Sequence, residues 1–213
     1  LAEDDNLIKA FASGADIHQA TAAQMFAKNL DEVDQELRSQ AKAINYGIIY
    51  GMGPQRLSQT TGCSLQEAKT FIQKYFENFS KIKNFINSSI EKAQDRSYSE
   101  TLFGRQRKIE GLDGQMGAIA LVNAKNIAVN SPIQGTAADI MKLAMIRVQN
   151  KIKASKLKAR MLLQVHDELV FECPEHEKDE LSSILSEEMA LAADLKVSLD
   201  VEIGSGMNWL EAH

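Results

Sequence analysis

Four side chains recur at four-residue spacing in the stretch RSQAKAINYGIIYG: Arg38, Lys42, Tyr46 and Tyr50. On a helix each four-residue step advances about 40° beyond a full turn, so the four fan across one side. Two cations at the N-terminal end, where the helix dipole also favours anions, make a seat for a triphosphate. Two aromatic rings further along offer faces on which a base stacks. The same spacing suits an amphipathic helix with its tyrosines in a core and its cations in solvent, and spacing alone leaves both readings open.

His166, Asp167 and Glu168 form a second group. They lie between the apolar runs MLLQV and LVF, the pattern of two strands joined by a polar turn. Mg²⁺ takes oxygen ligands and uses one or two carboxylates together with phosphates and water, which makes the turn a candidate cation site. Adjacent strand residues point to opposite faces, so a single carboxylate would be the principal ligand. An acidic turn with no ligand fits the same residues, and two-metal chemistry needs a second carboxylate from elsewhere.

The elements that must carry these groups follow from periodicity and punctuation. LIKAF, IHQATAAQMF and the stretch from Asp31 to Tyr50 carry apolar residues at helical spacing, with Asp16 an N-cap for the helix of His18. Gly51-Met52-Gly53-Pro54 ends the third of these. Ser64 and Glu67 make a capping box for a helix running towards Phe79, and a further helix spans Ile82 to Asp95. The segment SYSETLFGRQRKIEG has β-leaning ends around Gly104. A long helical pattern follows, in which Pro132 predicts a break or kink, with a new helix from about Gln134 to Ala154. Beyond the polar turn the pattern predicts a helix from Glu175 to Ala193 and a final strand, KVSLDVEIG. The expected fold class is α+β: a helical subdomain, then a small antiparallel sheet with packing helices.

Composition sets the outer bounds. The chain has 213 residues, 44% hydrophobic and 25% charged, values ordinary for a globular protein, and no apolar run suited to crossing a membrane. Cys63 and Cys173 have no metal-type spacing and read as reduced thiols. The start, LAEDDNLIKAF, is acidic, is no signal peptide, and lacks a Met, as if residues preceded it. A net charge of −5 argues mildly against nucleic acid, but it hides a pattern. Residues 1–37 hold eight acids against Lys9 and Lys28, whereas residues 140–166 hold seven bases and no acid. Arg105, Arg107 and Lys108 form another basic group. Gathered bases neutralise phosphates whatever the total charge, and they also make ordinary solvated faces.

Taken together, the motifs resemble those of the family A DNA polymerases, in the right order and over essentially the whole chain. Arg38-x3-Lys42-x3-Tyr46-Gly47-x2-Tyr50-Gly51 resembles the family's motif B, and QVHDELVFE its motif C. VNSPIQGTAADIMKLAMI is similar to the helix preceding the palm hairpin, DIHQATAAQMF to the segment before motif B, and GMNWLEAH to the C-terminus. The resemblance implies fingers over residues 1–110 and distal palm over 111–213 of a right-hand fold. LAEDDNLIKAF resembles what directly follows motif A, so motif A with its aspartate, the thumb and any exonuclease are expected to be absent.

The resemblance also implies roles. Arg38, Lys42 and His18 would contact the triphosphate of the incoming dNTP, and Lys42 would protonate the departing pyrophosphate. Tyr46 would stack beside the base and sugar; family members with Phe there discriminate more strongly against dideoxynucleotides. Tyr50 would lie by the templating base. Asn130 and Gln134 would touch DNA near the primer terminus, and His166 the primer end. Asp167 would bind catalytic Mg²⁺ in a two-metal site, with Glu168 nearby and less essential. Asn126 stands where the family usually has arginine, so that DNA contact is not carried over. The implied function is DNA-directed synthesis on primer-template DNA, in a cytoplasmic monomer engaged in replication and repair, with this chain inactive alone. A single-subunit RNA polymerase shares the Arg-x3-Lys-x7-Tyr-Gly skeleton, although HDE and SPIQGTAAD favour the DNA enzyme. A non-catalytic DNA-binding module is the other alternative, against which Arg38, Lys42 and Asp167 occur together.

Overall fold

Carboxylates and hydroxyls that accept backbone N–H groups start most of the helices in the computed structural model, which describes residues 1–212. Asp4 caps α1 (Asp5–Ala12), accepting from the N–H groups of Asn6 and Leu7 at 3.1 Å each. Its other oxygen accepts from Lys81 N–H at 3.0 Å, in the first turn of α6 (Ser80–Arg96), so one buried carboxylate caps two helices. Asp16 caps α2 (Ile17–Phe26), and Asp34 caps α3 (Gln35–Ile49). The predicted third helix thus begins at Gln35; a 3-10 turn, Leu30–Glu32, occupies its expected first residues. Pro54 opens a short helix that the glycines around it concealed, α4 (Pro54–Thr61), where a missing N–H costs nothing. The Ser64–Glu67 capping box forms at the head of α5 (Leu65–Asn78) as predicted.

The chain divides into two compact units, Leu1–Thr136 and the residues from Ala137 onward. In the first, Ile44 and Ile48 of α3 pack with Leu57 of α4 and with Phe71 and Tyr75 of α5. Burial, with the Asp4 charge second, pushes the Tyr75 hydroxyl up to about 12, so this ring stays neutral in the core. A short antiparallel hairpin, β1 (Tyr98–Glu100) and β2 (Gln106–Lys108), follows α6.

Of the break or kink expected at Pro132, the break and the separate helix from Gln134 do not occur. A single helix, α7, runs from Ala118 to Ala154 with Pro132 inside it. Proline has no N–H for the carbonyl four residues earlier, that of Ala128. The buried Ser99 hydroxyl of β1 donates to the Ala128 carbonyl at 3.0 Å and takes the place of the missing donor. The hairpin docks further along the same stretch: Leu102 N–H donates to the Thr136 hydroxyl (2.9 Å), Arg105 to the Gly135 carbonyl (2.9 Å) and Arg107 to the Ser131 hydroxyl (3.2 Å). A Cβ at Gly135 would lie 2.6 Å from the Thr101 methyl, so the close approach requires glycine.

In the second unit, β3 (Arg160–Val165) and β4 (Glu168–Glu172) pair antiparallel, with an irregularity between Met161 and Leu163. The helix α8 (Lys178–Ala190) packs Leu181 and Leu185 against Val148 and Ile152 of α7. Buried Glu177 accepts from the N–H groups of Lys158 and Ala159, at 2.8 and 3.0 Å, and fixes the approach to β3. The predicted final strand KVSLDVEIG is irregular: alternation is present, but no strand pairs with it among the described residues, and a strand exists only by pairing. A last turn of helix, α9, covers Trp209–Ala212. Mostly helical with two small antiparallel sheets, the chain is α+β. No helix among the described residues is long and apolar enough to cross a membrane.

Candidate functional site

The apolar face of α3, with Ala41, Ile44 and Ile48 buried, turns the four-residue ladder away from the core. Lys42 and Tyr46 are exposed, and Arg38 and Tyr50 are half-buried. The rings of Tyr46 and Tyr50 lie near-parallel, 19° apart in plane with centroids 6.5 Å apart. Tyr46 therefore faces solvent rather than the core, and Tyr50 lies at the edge between the two. Gly51 ends the helix at φ +92°, a conformation L side chains avoid, and a Cβ there would meet Asn126 Oδ1 at 2.5 Å. The short Asn126 side chain thus lies against the end of α3.

His18 reaches the ladder from α2, its ring centroid 5.9 Å from that of Tyr46. Asp16 sets this approach. Its Oδ1 caps α2 by accepting from His18 and Gln19 N–H, both at 3.0 Å, and its Oδ2 accepts a short charge-assisted hydrogen bond from Arg38 Nε. Burial pushes the Asp16 carboxyl up, but Arg38 and the two backbone donors outweigh it and hold the group below its ordinary range. The bond uses Nε, so the two terminal guanidinium nitrogens take no part in it. Burial lowers the pKa of His18, Arg38 and Lys42 lower it further, and Asp16 opposes them; the ring is held below the ordinary histidine value. Asn45, on the buried face of α3, places Nδ2 3.0 Å from His18 Nδ1 and exchanges hydrogen bonds with Thr21. Sequence reading found Asp16 only as a cap and missed Asn45 and Thr21. The available signal was Asn45 itself, an amide at a position where the stripe of Ala41, Ile44 and Ile48 would place an apolar residue.

Asn130 and Gln134 lie on α7 in the first unit; Gln134 is exposed, and Asn130 Oδ1 is buried with no hydrogen-bond partner. A buried amide oxygen without a donor costs roughly 1–3 kcal/mol, an expense tolerated where a ligand supplies the donor. His166, Asp167 and Glu168 belong to the second unit. His166 and Asp167 form the two-residue turn, His166 at φ +53°, while Glu168 is already the first residue of β4. Gln164 Nε2 donates to the His166 carbonyl at 2.9 Å and braces the turn. All three side chains are exposed. No three His, Cys, Asp or Glu side chains among the described residues converge as a metal cage. The exposed Asp167 carboxylate fits the smaller share that protein contributes when phosphates and water complete a divalent-cation shell.

The basic groups have structural uses that sequence did not show. Arg147 and Lys151 reach Glu188 at 2.9 and 4.0 Å, and Arg160 pairs with Glu172 across β3 and β4. Arg105 and Arg107 fasten the hairpin to α7 as described, and Lys108 pairs with Glu110 at 3.2 Å.

Residues 1–211 match the model of DNA polymerase family A, and the chain belongs to that family. It is 46% identical over 211 residues to DNA polymerase I of Caldicellulosiruptor bescii, covering 99% of this chain and 25% of that protein. It is 42% identical to the thermostable DNA polymerase I of Thermus aquaticus, over 100% of this chain and 25% of the relative. The chain thus spans about a quarter of the length of the curated relatives it matches. The polymerase domain of Pol1 from M. smegmatis, solved with DNA primer-template and dNTP, superimposes with a TM-score of 0.93 at 40% identity. That match covers 100% of this chain and 37% of the other.

Proposed function

We propose that this chain supplies the fingers (residues 1–110) and distal palm (111–213) of a DNA polymerase that adds deoxynucleotides to a primer 3′-hydroxyl with release of pyrophosphate. The observation that carries this reading is the outward ladder of α3 with His18 held beside it. Arg38 and His18 bind the triphosphate, and the Lys42 ammonium adds charge and gives its proton to the departing pyrophosphate. Positioned charge of this kind supplies most of the catalysis in phosphoryl transfer. Tyr46 stacks by the incoming base and sugar, and Tyr50 lies by the templating base. Asn130 and Gln134 touch DNA near the primer terminus, Asn130 with an amide oxygen that has no donor of its own, and His166 touches the primer end.

Asp167 would hold Mg²⁺, with Glu168 nearby; the ion, when bound, neutralises phosphate charge and activates the primer hydroxyl, and a second carboxylate comes from outside this chain. The dNTP and DNA bound in the M. smegmatis structure are the ligands this reading assigns here. Family membership answers the RNA-polymerase alternative, since the shared skeleton lies within a DNA polymerase family match over residues 1–211. Monomeric, cytoplasmic action in replication and repair completes the proposal. The test is Asp167→Ala in the complete polymerase: primer extension should disappear while primer-template binding persists. Synthesis that survives overturns the metal assignment; binding alone in the unsubstituted protein favours a non-catalytic DNA-binding module.

A further inference from the structure

Asn45 is 4% exposed and Thr21 5% exposed, an amide and a hydroxyl set into the joint between α3 and α2. Burying an amide is unfavourable unless its donors and acceptor are matched. Here they are. The Thr21 hydroxyl donates to Asn45 Oδ1 at 3.1 Å, and Asn45 Nδ2 faces Thr21 Oγ1 at 3.1 Å and His18 Nδ1 at 3.0 Å. With Nδ2 turned to the ring, the NH₂ group has two hydrogens and no lone pair to offer, and the ring nitrogen it faces accepts. In a neutral imidazole the proton then sits on the other nitrogen, Nε2.

We propose that Asn45 is a positioning residue that fixes His18 as the Nε2–H tautomer, so that His18 meets the incoming triphosphate as a neutral hydrogen-bond donor. The inference rests on the reading of His18 as a triphosphate ligand and adds how that ligand is prepared. The charged groups that face the ring are Asp16 at the head of α2 and Arg38 and Lys42 on α3, with the Tyr46 ring alongside. Burial and the two cations favour the uncharged ring, in keeping with a donor that carries no charge of its own. Division of labour follows: Arg38 and Lys42 bring charge, and His18 brings direction. A tautomer with Nδ1–H would turn a lone pair towards the phosphate oxygens instead, and the contact would become repulsive.

The experiment is Asn45→Asp in the complete polymerase, alone and combined with His18→Ala, with dNTP KM and kcat measured for each and folding checked by thermal melting. Aspartate keeps the size but offers Nδ1 an acceptor, which draws the proton onto Nδ1. The single substitution should raise dNTP KM by about tenfold with kcat little changed. In the His18→Ala background it should add less than about twofold. Equal effects in both backgrounds would mean that Asn45 only ties α2 to α3, and would overturn the proposal. If His18→Ala itself leaves KM unchanged, the triphosphate reading of His18 fails and the proposal falls with it, a result distinct from the previous one. Should Asn45→Asp not fold, ¹⁵N-histidine spectra of the unsubstituted protein decide, the His18 signal being identified by its loss in His18→Ala. A bare Nδ1 and a protonated Nε2 are expected; a proton on Nδ1 overturns the assignment.

Discussion

Asp16 does two jobs with two oxygens, and substitutions separate them. Asp16→Ala removes the cap and the Arg38 contact together and should destabilise the protein by about 1 kcal/mol or somewhat more. Asn at an N-cap accepts nearly as well as Asp, so Asp16→Asn should cost only the ion pair, roughly 0.2–1 kcal/mol for a pair this accessible. Chemical denaturation of both variants checks the difference. His18 gives a pH signature with a definite sign. Its folded value lies below the ordinary 6.5, so the unfolded chain takes up a proton more readily. Its contribution is present above about pH 6.5, fades as pH falls below that, and is lost as pH falls through the folded value. His18→Gln should flatten that part of the stability profile in melts taken across the range. Tyr46→Phe should leave incorporation of dNTPs near normal and increase discrimination against dideoxynucleotides, measured by competitive primer extension.

At the scale of elements, the Ser99–Ala128 contact predicts a pattern of coupling. Ser99→Ala should cost about 1–3 kcal/mol, because it leaves a buried carbonyl without a donor. In a Pro132→Ala background the helix supplies its own N–H, so the same Ser99→Ala should be close to neutral, and denaturation of the four variants forms the cycle. This contact also shows what sequence could and could not disclose. Capping by Asp16, Ser64 and Glu67 and the hairpin around His166-Asp167 were legible because each is written in adjacent residues. The continuity of α7 was not, since the hydroxyl that makes Pro132 tolerable comes from a hairpin distant in sequence. The final strand was misread for the complementary reason: alternation records which face a strand would bury, not whether a neighbour is there to pair.

At the scale of the whole chain, the candidate site splits between two units, with the ladder and His18 in one and Asp167 in the other. On the reading proposed, Asp167 is one carboxylate of a two-metal site, which needs a second. Primer extension by this chain alone should therefore be undetectable, and robust synthesis would refute the division of labour proposed. The ladder residues and Asp167 stood out as types at set spacings, and His18 entered through the family resemblance. The supports were not: Asp16 as tether, Asn45 as brace and Glu188 as the partner of Arg147 emerge only when α2, α3, α7 and α8 are packed. Three of the seven bases in residues 140–166 are likewise tied to acids distant in sequence, Arg147 and Lys151 to Glu188 and Arg160 to Glu172, which counting charges could not disclose.

The Ser99 hydroxyl also makes the order of two substitutions matter to anyone redesigning this chain. Replacing Pro132 first restores a backbone N–H to the Ala128 carbonyl, and Ser99 can then be exchanged at little cost. Replacing Ser99 first leaves that carbonyl bare, and the intermediate is the weaker protein. The tolerant route runs proline first, serine second.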